Sequence, residues 1–240
     1  MQYLRLKRSR LIIGTFLVFS LLAVAFPGMD LQVSAMFYDG RSFLRDQWWQ
    51  RLLQDGLGYF LGTSLAIAGF LYLRNKLSGR AGYLVDGRKI AYLLLVLIVG
   101  AGLIVNAGFK NNLGRARPRD VAQFGGARVF TPAFVPSNQC DTNCSFSSGD
   151  SAAAFFSLAL VMAFRRRRRW LLVAIALGVV VSLARISAGA HFFSDTVVSF
   201  FVMLLVADAL YYYVVLNQAG RERAQSRRHR LFGVAGATSA

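Results

Sequence analysis

An all-helical membrane bundle of six transmembrane helices, with one extra outer interfacial helix, is the fold class that three observations predict. The hydrophobic share is 55% and only 16% of residues are charged, too little polar surface to cover a soluble globule of this length. The apolar residues gather into six runs, and the basic residues gather between alternate runs. A bilayer is the natural solvent for such a chain.

The first run, Leu11–Phe26, follows Arg5, Lys7, Arg8 and Arg10 as a signal sequence would, but Phe26-Pro27-Gly28 lacks a small-residue cleavage pattern. It is read as a retained span. The remaining runs are Leu57–Leu73, Ile90–Phe109, Ser151–Phe164, Trp170–Ala184 and Thr196–Leu216. The third and sixth approach the roughly 20 residues that cross a hydrocarbon core. The fourth and fifth are shorter and are expected to continue as helix beyond the next charge. Between the first two spans, Leu44, Trp48, Trp49, Leu52 and Leu53 recur at near-helical spacing among Arg45, Gln50 and Arg51. That pattern predicts an amphipathic helix in the interfacial plane, which either braces the entrance to a site or simply caps the bundle with its tryptophans. Residues 1–220 form one six-helix membrane domain, and residues 221–240 a basic tail expected to be disordered and without chemistry.

The net charge of +17 would raise nucleic acid as a partner in a soluble protein. Here the cations flank apolar runs and no aromatic-interleaved groove pattern occurs, so no nucleic-acid partner is expected. With six alternating spans, nineteen of the 28 Lys and Arg residues fall on one side and nine on the other. By the positive-inside rule both termini are cytoplasmic, in a multi-pass inner-membrane protein. The run Arg165–Arg169 is then a topology anchor facing anionic lipid. The segments from Pro27 to about Gly56, from Lys110 to Asp150 and around Ser187 to Ser194 face the periplasm.

Chemistry concentrates in those outer segments. Of two histidines, His229 lies in the basic tail and His191 at the boundary of the fifth and sixth spans. Asp195 follows four residues later, a spacing that puts both on one helical face, and Arg185 precedes by six. A carboxylate that fixes one ring nitrogen leaves the other free to attack. A structural ion pair with a satisfied histidine explains the trio equally well, until Lys110 and Arg117 are added on the same side. Three cations near one histidine suit a phosphoryl group, since Lys and Arg supply charge-assisted hydrogen bonds to its oxygens. Ser147-Ser148-Gly149-Asp150 opens the fourth span, either as a phosphate seat at a helix start or as an ordinary N-cap. Cys140 and Cys144, the only cysteines, are expected to form a disulfide in an oxidising compartment, with free thiols as the alternative. There is no metal-ligand spacing and no glycine-rich phosphate loop, so no cofactor is expected.

These residues resemble the type 2 phosphatidic acid phosphatase superfamily, whose signature is K-x6-R-P, P-S-G-H and S-R-x5-H-x3-D. The first motif is complete from Lys110 to Arg117-Pro118, and the third runs from Ala184-Arg185 through His191 to Asp195, with Ala184 in place of Ser. The resemblance implies an all-helical bundle and a metal-independent lipid phosphatase. His191 would be the nucleophile forming a phosphohistidine, Asp195 its partner, and Lys110, Arg117, Ser148, Gly149 and Arg185 the phosphate ligands. Where the family has the general acid histidine, this chain has Asp150. An aspartate among cations is held as the anion. Three outcomes follow: surroundings that keep Asp150 protonated, a leaving group needing little protonation, or a protein that binds phosphate without fast turnover. Asn143-Cys144-Ser145-Phe146 before Ser148-Gly149 and an acidic residue resembles the lipid A 4′-phosphatase branch, which implies lipid A as substrate. Undecaprenyl diphosphate, phosphatidylglycerol phosphate, transfer to another lipid and non-catalytic lipid-phosphate binding are the alternatives. The expected partners are a phosphorylated lipid and membrane lipids; oligomeric state is not legible.

Overall fold

A computed structural model describes residues 2–79, 85–164 and 168–217. Arg165–Arg167 of the basic run, and the tail 221–240 with His229, lie outside the described residues. The helices are α1 (Gln2–Ala25), α2 (Gly28–Ala35), α3 (Trp48–Leu77), α4 (Gly87–Lys110), α5 (Gly149–Phe155), α6 (Ser157–Phe164), α7 (Arg168–Ser187) and α8 (Phe193–Asn217).

Four of them, α3, α4, α7 and α8, are long and apolar enough to cross a bilayer. The α1–α2 pair makes a fifth span if taken as one helix bent by 85°. Six spans are not found: the fourth expected run is divided between α5 and α6, which break at Phe156. Together they reach only roughly 24 Å at 1.5 Å per residue, short of the ~30 Å core. The expected interfacial helix around Leu44–Leu53 is not a separate element. Leu44–Asp46 forms one tight turn, and Trp48 opens α3, which runs unbroken through the second expected span. Gly56, Gly58 and Gly62 weaken that helix but keep their N–H donors, so nothing stops it. A short helix that was not expected, α2, follows α1 beyond the bend at Pro27.

The bundle is organised around α5 and α6, which pack against α4, α7 and α8, while α1 and α2 lie against α8. A Cβ at Gly178 of α7 would strike the Phe155 ring, so the close approach of α5 and α7 requires glycine there. Tyr92, Val96, Val105, Phe146, Phe156, Leu158 and Met203 fill the interior. Leu11, Leu21, Phe70, Ile98, Leu172 and Val180 point outward, as lipid-facing side chains do. At the outer end a second cluster of Phe43, Val121, Phe124 and Phe192, with Tyr38 and Phe130, joins the loops before α3 and after α4. This aromatic cap holds the long 111–148 connection over the ends of α7 and α8.

Candidate active site

Three segments distant in sequence are tied together by their backbones. The N–H of Arg119 donates to the Gly189 carbonyl (3.1 Å), that of Ser145 to the Arg115 carbonyl (2.9 Å) and that of Ser148 to the Asp195 carbonyl (3.3 Å). Gly114 makes the turn that allows this: its φ is +56°, and the Ser137 carbonyl occupies the space a Cβ would need. Ser137 returns the contact, donating from Oγ to the Gly114 carbonyl at 2.6 Å.

His191 sits in the turn between α7 and α8, not on a helix, which corrects the expectation that it shares a helical face with Asp195. The α8 helix starts only at Phe193, because the Asp195 carboxylate accepts the Phe192 N–H (2.8 Å) and so caps its own first turn. The imidazole Nδ1 lies 2.7 Å from the Ser145 carbonyl oxygen and 3.7 Å from Asp195 Oδ2. A carbonyl can only accept, so Nδ1 carries the proton and Nε2 the lone pair. Among the described residues no hydrogen bond engages Nε2. Burial pushes the His191 pKa below the ordinary histidine value, against the pull of Asp195, and keeps the ring neutral.

Asp195 is fully buried and fixed by three other donors. Arg115 Nη1 reaches Oδ1 at 2.5 Å, while Ser145 Oγ (2.5 Å) and the Phe192 N–H (2.8 Å) reach Oδ2. Asp195 thus positions the imidazole mainly through Ser145, whose hydroxyl it accepts and whose carbonyl holds His191. Arg115 is only 1% exposed. Its Nη2 pairs with Asp30 Oδ2 of α2 (2.7 Å), its Nε donates to the Thr131 carbonyl (2.8 Å), and its guanidinium lies 4.2 Å from the Phe192 ring centre. Asp30 also accepts from the Ser194 N–H (2.8 Å) and Oγ (2.5 Å). Arg115, Asp30, Ser145 and Ser194 were not among the sequence-predicted site residues. The one signal for any of them was a second arginine, Arg115, inside the first motif.

The predicted cations surround this core. Lys110 ends α4, and a Cβ at Gly149 would come within 3.7 Å of its Nζ and 3.2 Å of Asn106 Oδ1. Arg117 donates from Nε (3.2 Å) and Nη2 (2.6 Å) to the Asn143 carbonyl. Asn143 lies in the loop closed by a Cys140–Cys144 disulfide, Cα atoms 5.6 Å apart. Burial, and then the Arg185 guanidinium, hold the Arg117 pKa below its ordinary value. Arg185, buried at the end of α7, donates from Nη1 to Gln54 Oε1 (3.2 Å). Its Nε lies 2.8 Å from Asp150 Oδ2, an ion pair without a directed hydrogen bond. Ser148 caps α5 through its Oγ, which accepts the Ser151 N–H at 3.2 Å. Its hydroxyl and its backbone N–H therefore both have partners within the chain. The charges of Arg117 and Asp150 act on His191, and those of Arg117, Asp150 and Arg185 act on Lys110, so these residues lie close enough to interact electrostatically. Among the described residues no group of three or more His, Cys, Asp or Glu side chains forms a metal-binding cluster.

Residues 91–219, which hold Lys110, Arg117, Asp150, Arg185, His191 and Asp195, match the family model described as the PAP2 superfamily. The chain belongs to the PAP2 superfamily. Its curated relatives include the lipid A 4′-phosphatase of Francisella tularensis subsp. novicida, 33% identical over 204 residues, covering 79% of this chain and 89% of the relative. The lipid A 4′-phosphatase of Rhizobium etli is 30% identical over 231 residues, 85% and 89% of the two chains. That of Rhizobium leguminosarum is 34% identical over 125 residues, 51% and 54%. Among solved structures, the first transmembrane PAP2 type phosphatidylglycerolphosphate phosphatase from Bacillus subtilis superposes with a TM-score of 0.50 at 19% identity. The match covers 84% of this chain and 94% of that one and shows the shared fold. This PAP2 protein is a phosphatase and a multi-pass membrane protein.

Proposed function

We propose that the protein hydrolyses a lipid phosphomonoester, the 4′-phosphate of lipid A, through a phosphohistidine on His191. The observation that carries this is a neutral, buried His191 whose Nε2 has no hydrogen bond among the described residues, with Arg117 close enough for its charge to act on the ring. In the first step the Nε2 lone pair attacks phosphorus in line and the P–O bond to the sugar breaks. Lys110, Arg117 and Arg185 offset the charge spreading over the three equatorial oxygens. The Nδ1–H stays with the Ser145 carbonyl, which stabilises the charge gained by the ring. Water then attacks the phosphohistidine and releases inorganic phosphate.

Asp150 takes a different part from the one its motif position implied. Its carboxylate is engaged with Arg185, so in this account it orients that guanidinium while solvent protonates the departing sugar oxygen. Lipid A as substrate is supported by two relatives of that name matching 79% and 85% of the chain. The cation asymmetry supports a periplasmic site on the inner membrane, with both termini cytoplasmic.

The test is phosphate release by purified protein in detergent from lipid A, undecaprenyl diphosphate and phosphatidic acid, beside His191→Ala. Release from lipid A by the wild type alone is expected. Equal release by His191→Ala contradicts the nucleophile, and faster release from another lipid contradicts the substrate. A periplasm-specific reporter fused after Asn138 is expected to give signal; silence inverts the topology.

A further inference from the structure

A polar cavity of about 340 Å³ opens at two of the proposed phosphate ligands, Arg117 and Arg185. Arg117 and Arg185 form its shared wall, while Arg45, Arg51, Arg119 and Gln50 line the rest. His191, Lys110, Ser148 and Gly149 do not line it, so Arg117 and Arg185 are what it has in common with the proposed site of attack.

Its charge balance is one-sided. Five arginines line it against the single carboxylate of Asp46. Among the described residues no carboxylate lies within ion-pair distance of Arg45 or Arg51, and Arg119 has only Asp120, 3.8 Å from its Nε. Burial and the neighbouring Arg117 push Arg119 down to about 10. Cations gathered in this way, with so little negative charge among them, are stabilised by an anion from outside the chain.

Gln50 adds a second, independent feature. It is 3% exposed, and its Nε2 donates to Ser187 Oγ at 2.9 Å. Ser187 spends its own hydrogen on the Ala184 carbonyl (3.0 Å), so it must accept from Gln50, which fixes the amide orientation. Oε1 is left buried with no partner among the described residues. An unpaired buried acceptor is costly unless a donor arrives. Arginines offer nothing but donors, and Oε1 offers only an acceptor, so together they match a group carrying both an anion and a hydroxyl.

We propose that this cavity seats a phosphorylated sugar unit of the same substrate, Arg45, Arg51 and Arg119 binding a second phosphate and Gln50 Oε1 accepting a sugar hydroxyl. The inference rests on the lipid phosphatase function proposed above and narrows its substrate class to glycolipids with a second phosphate beyond the one removed. The glycerol phosphate headgroup of a neighbouring anionic phospholipid shares this anion and hydroxyl chemistry, and the test separates the two sources by leaving anionic lipid out.

The experiment compares a disaccharide lipid phosphorylated on both sugars with the same lipid phosphorylated at the 4′ position alone, in neutral detergent without anionic lipid. Binding is measured on full-length His191→Ala, and kcat/KM on the unmodified protein. The two-phosphate lipid is expected to bind about tenfold tighter, the scale of one charge-assisted hydrogen bond. Arg45→Gln/Arg51→Gln in the His191→Ala background should abolish that preference with an unchanged melting temperature. Gln50→Met should weaken both disaccharide lipids about equally. Equal binding of the two lipids, or a preference that survives the double substitution, overturns the proposal. If the unmodified protein hydrolyses no lipid while the binding preference stands, the function fails and the subsite does not.

Discussion

His191 Nδ1 is 2.7 Å from the carbonyl oxygen of Ser145, whose own hydroxyl is held by Asp195. The imidazole is thus oriented through an intervening residue, and in the proposed mechanism Asp195 positions the nucleophile. Asp195→Asn is expected to lower kcat by about 10²-fold or more, since the amide no longer matches both the Ser145 hydroxyl and Arg115. KM should change little. A large KM effect with kcat intact would contradict this role.

Burial makes His191 hard to protonate, and the sign of the pH effect follows. Its folded pKa lies below 6.5 and its unfolded pKa near that value. Between the two, the unfolded chain holds more protons, so this group makes the fold less stable as pH falls through that window. With only two histidines in the chain, ring nitrogen NMR against a His229→Ala control isolates His191. Its signal should remain that of the neutral, Nδ1-protonated ring when pH drops past 6.5. Titration at or above 6.5 would refute this.

Arg115 bridges two buried carboxylates, Asp30 and Asp195. Arg115→Leu strands both, and breaking a buried pair in this way costs about 3–5 kcal/mol. Thermal unfolding in detergent should show a marked drop, partly recovered by adding Asp30→Asn. No recovery in the double variant would mean that Asp30 is not a stranded charge.

In the proposed mechanism Asp150, paired with Arg185, orients that guanidinium and is not the general acid. Asp150→Asn should then keep kcat within about tenfold at neutral pH, whereas loss of a general acid costs about 10²–10⁴-fold. A drop in that larger range would restore Asp150 as the acid.

Four of the six expected spans were legible because hydropathy is a local property, whereas the run Ser151–Phe164 is broken into two short helices at Phe156 and the first run bends into α2. The start of α3 was not legible. Periodicity over Leu44–Leu53 marked an amphipathic stretch, but nothing in it said that Trp48 already belonged to the helix of the next span. The motif residues Lys110, Arg117, Arg185 and His191 stand out as a set in the sequence, since few residue types suit the phosphate site proposed for them. Their supports were hidden. Asp30 meets Arg115 across 85 positions, and Ser145 serves His191 with a backbone atom that its identity does not advertise. The spacing of His191 and Asp195 suggested one helical face because sequence cannot show that Asp195 caps a helix beginning after His191.

The Cys140–Cys144 loop presents the Asn143 carbonyl that anchors Arg117. Cys140→Ser/Cys144→Ser is expected to loosen Arg117 and lower kcat/KM roughly tenfold, as small misplacements of a catalytic cation do. Unchanged kcat/KM would show that the loop holds its shape without the bond.

The central claim is that His191 carries the phosphoryl group. Rapid quenching into alkali during turnover of lipid A labelled in its 4′-phosphate, followed by peptide mass spectrometry, tests it most directly. A base-stable phosphoryl group is expected on the peptide containing His191 and none in His191→Ala. Label on another residue, or full turnover by His191→Ala, would contradict it.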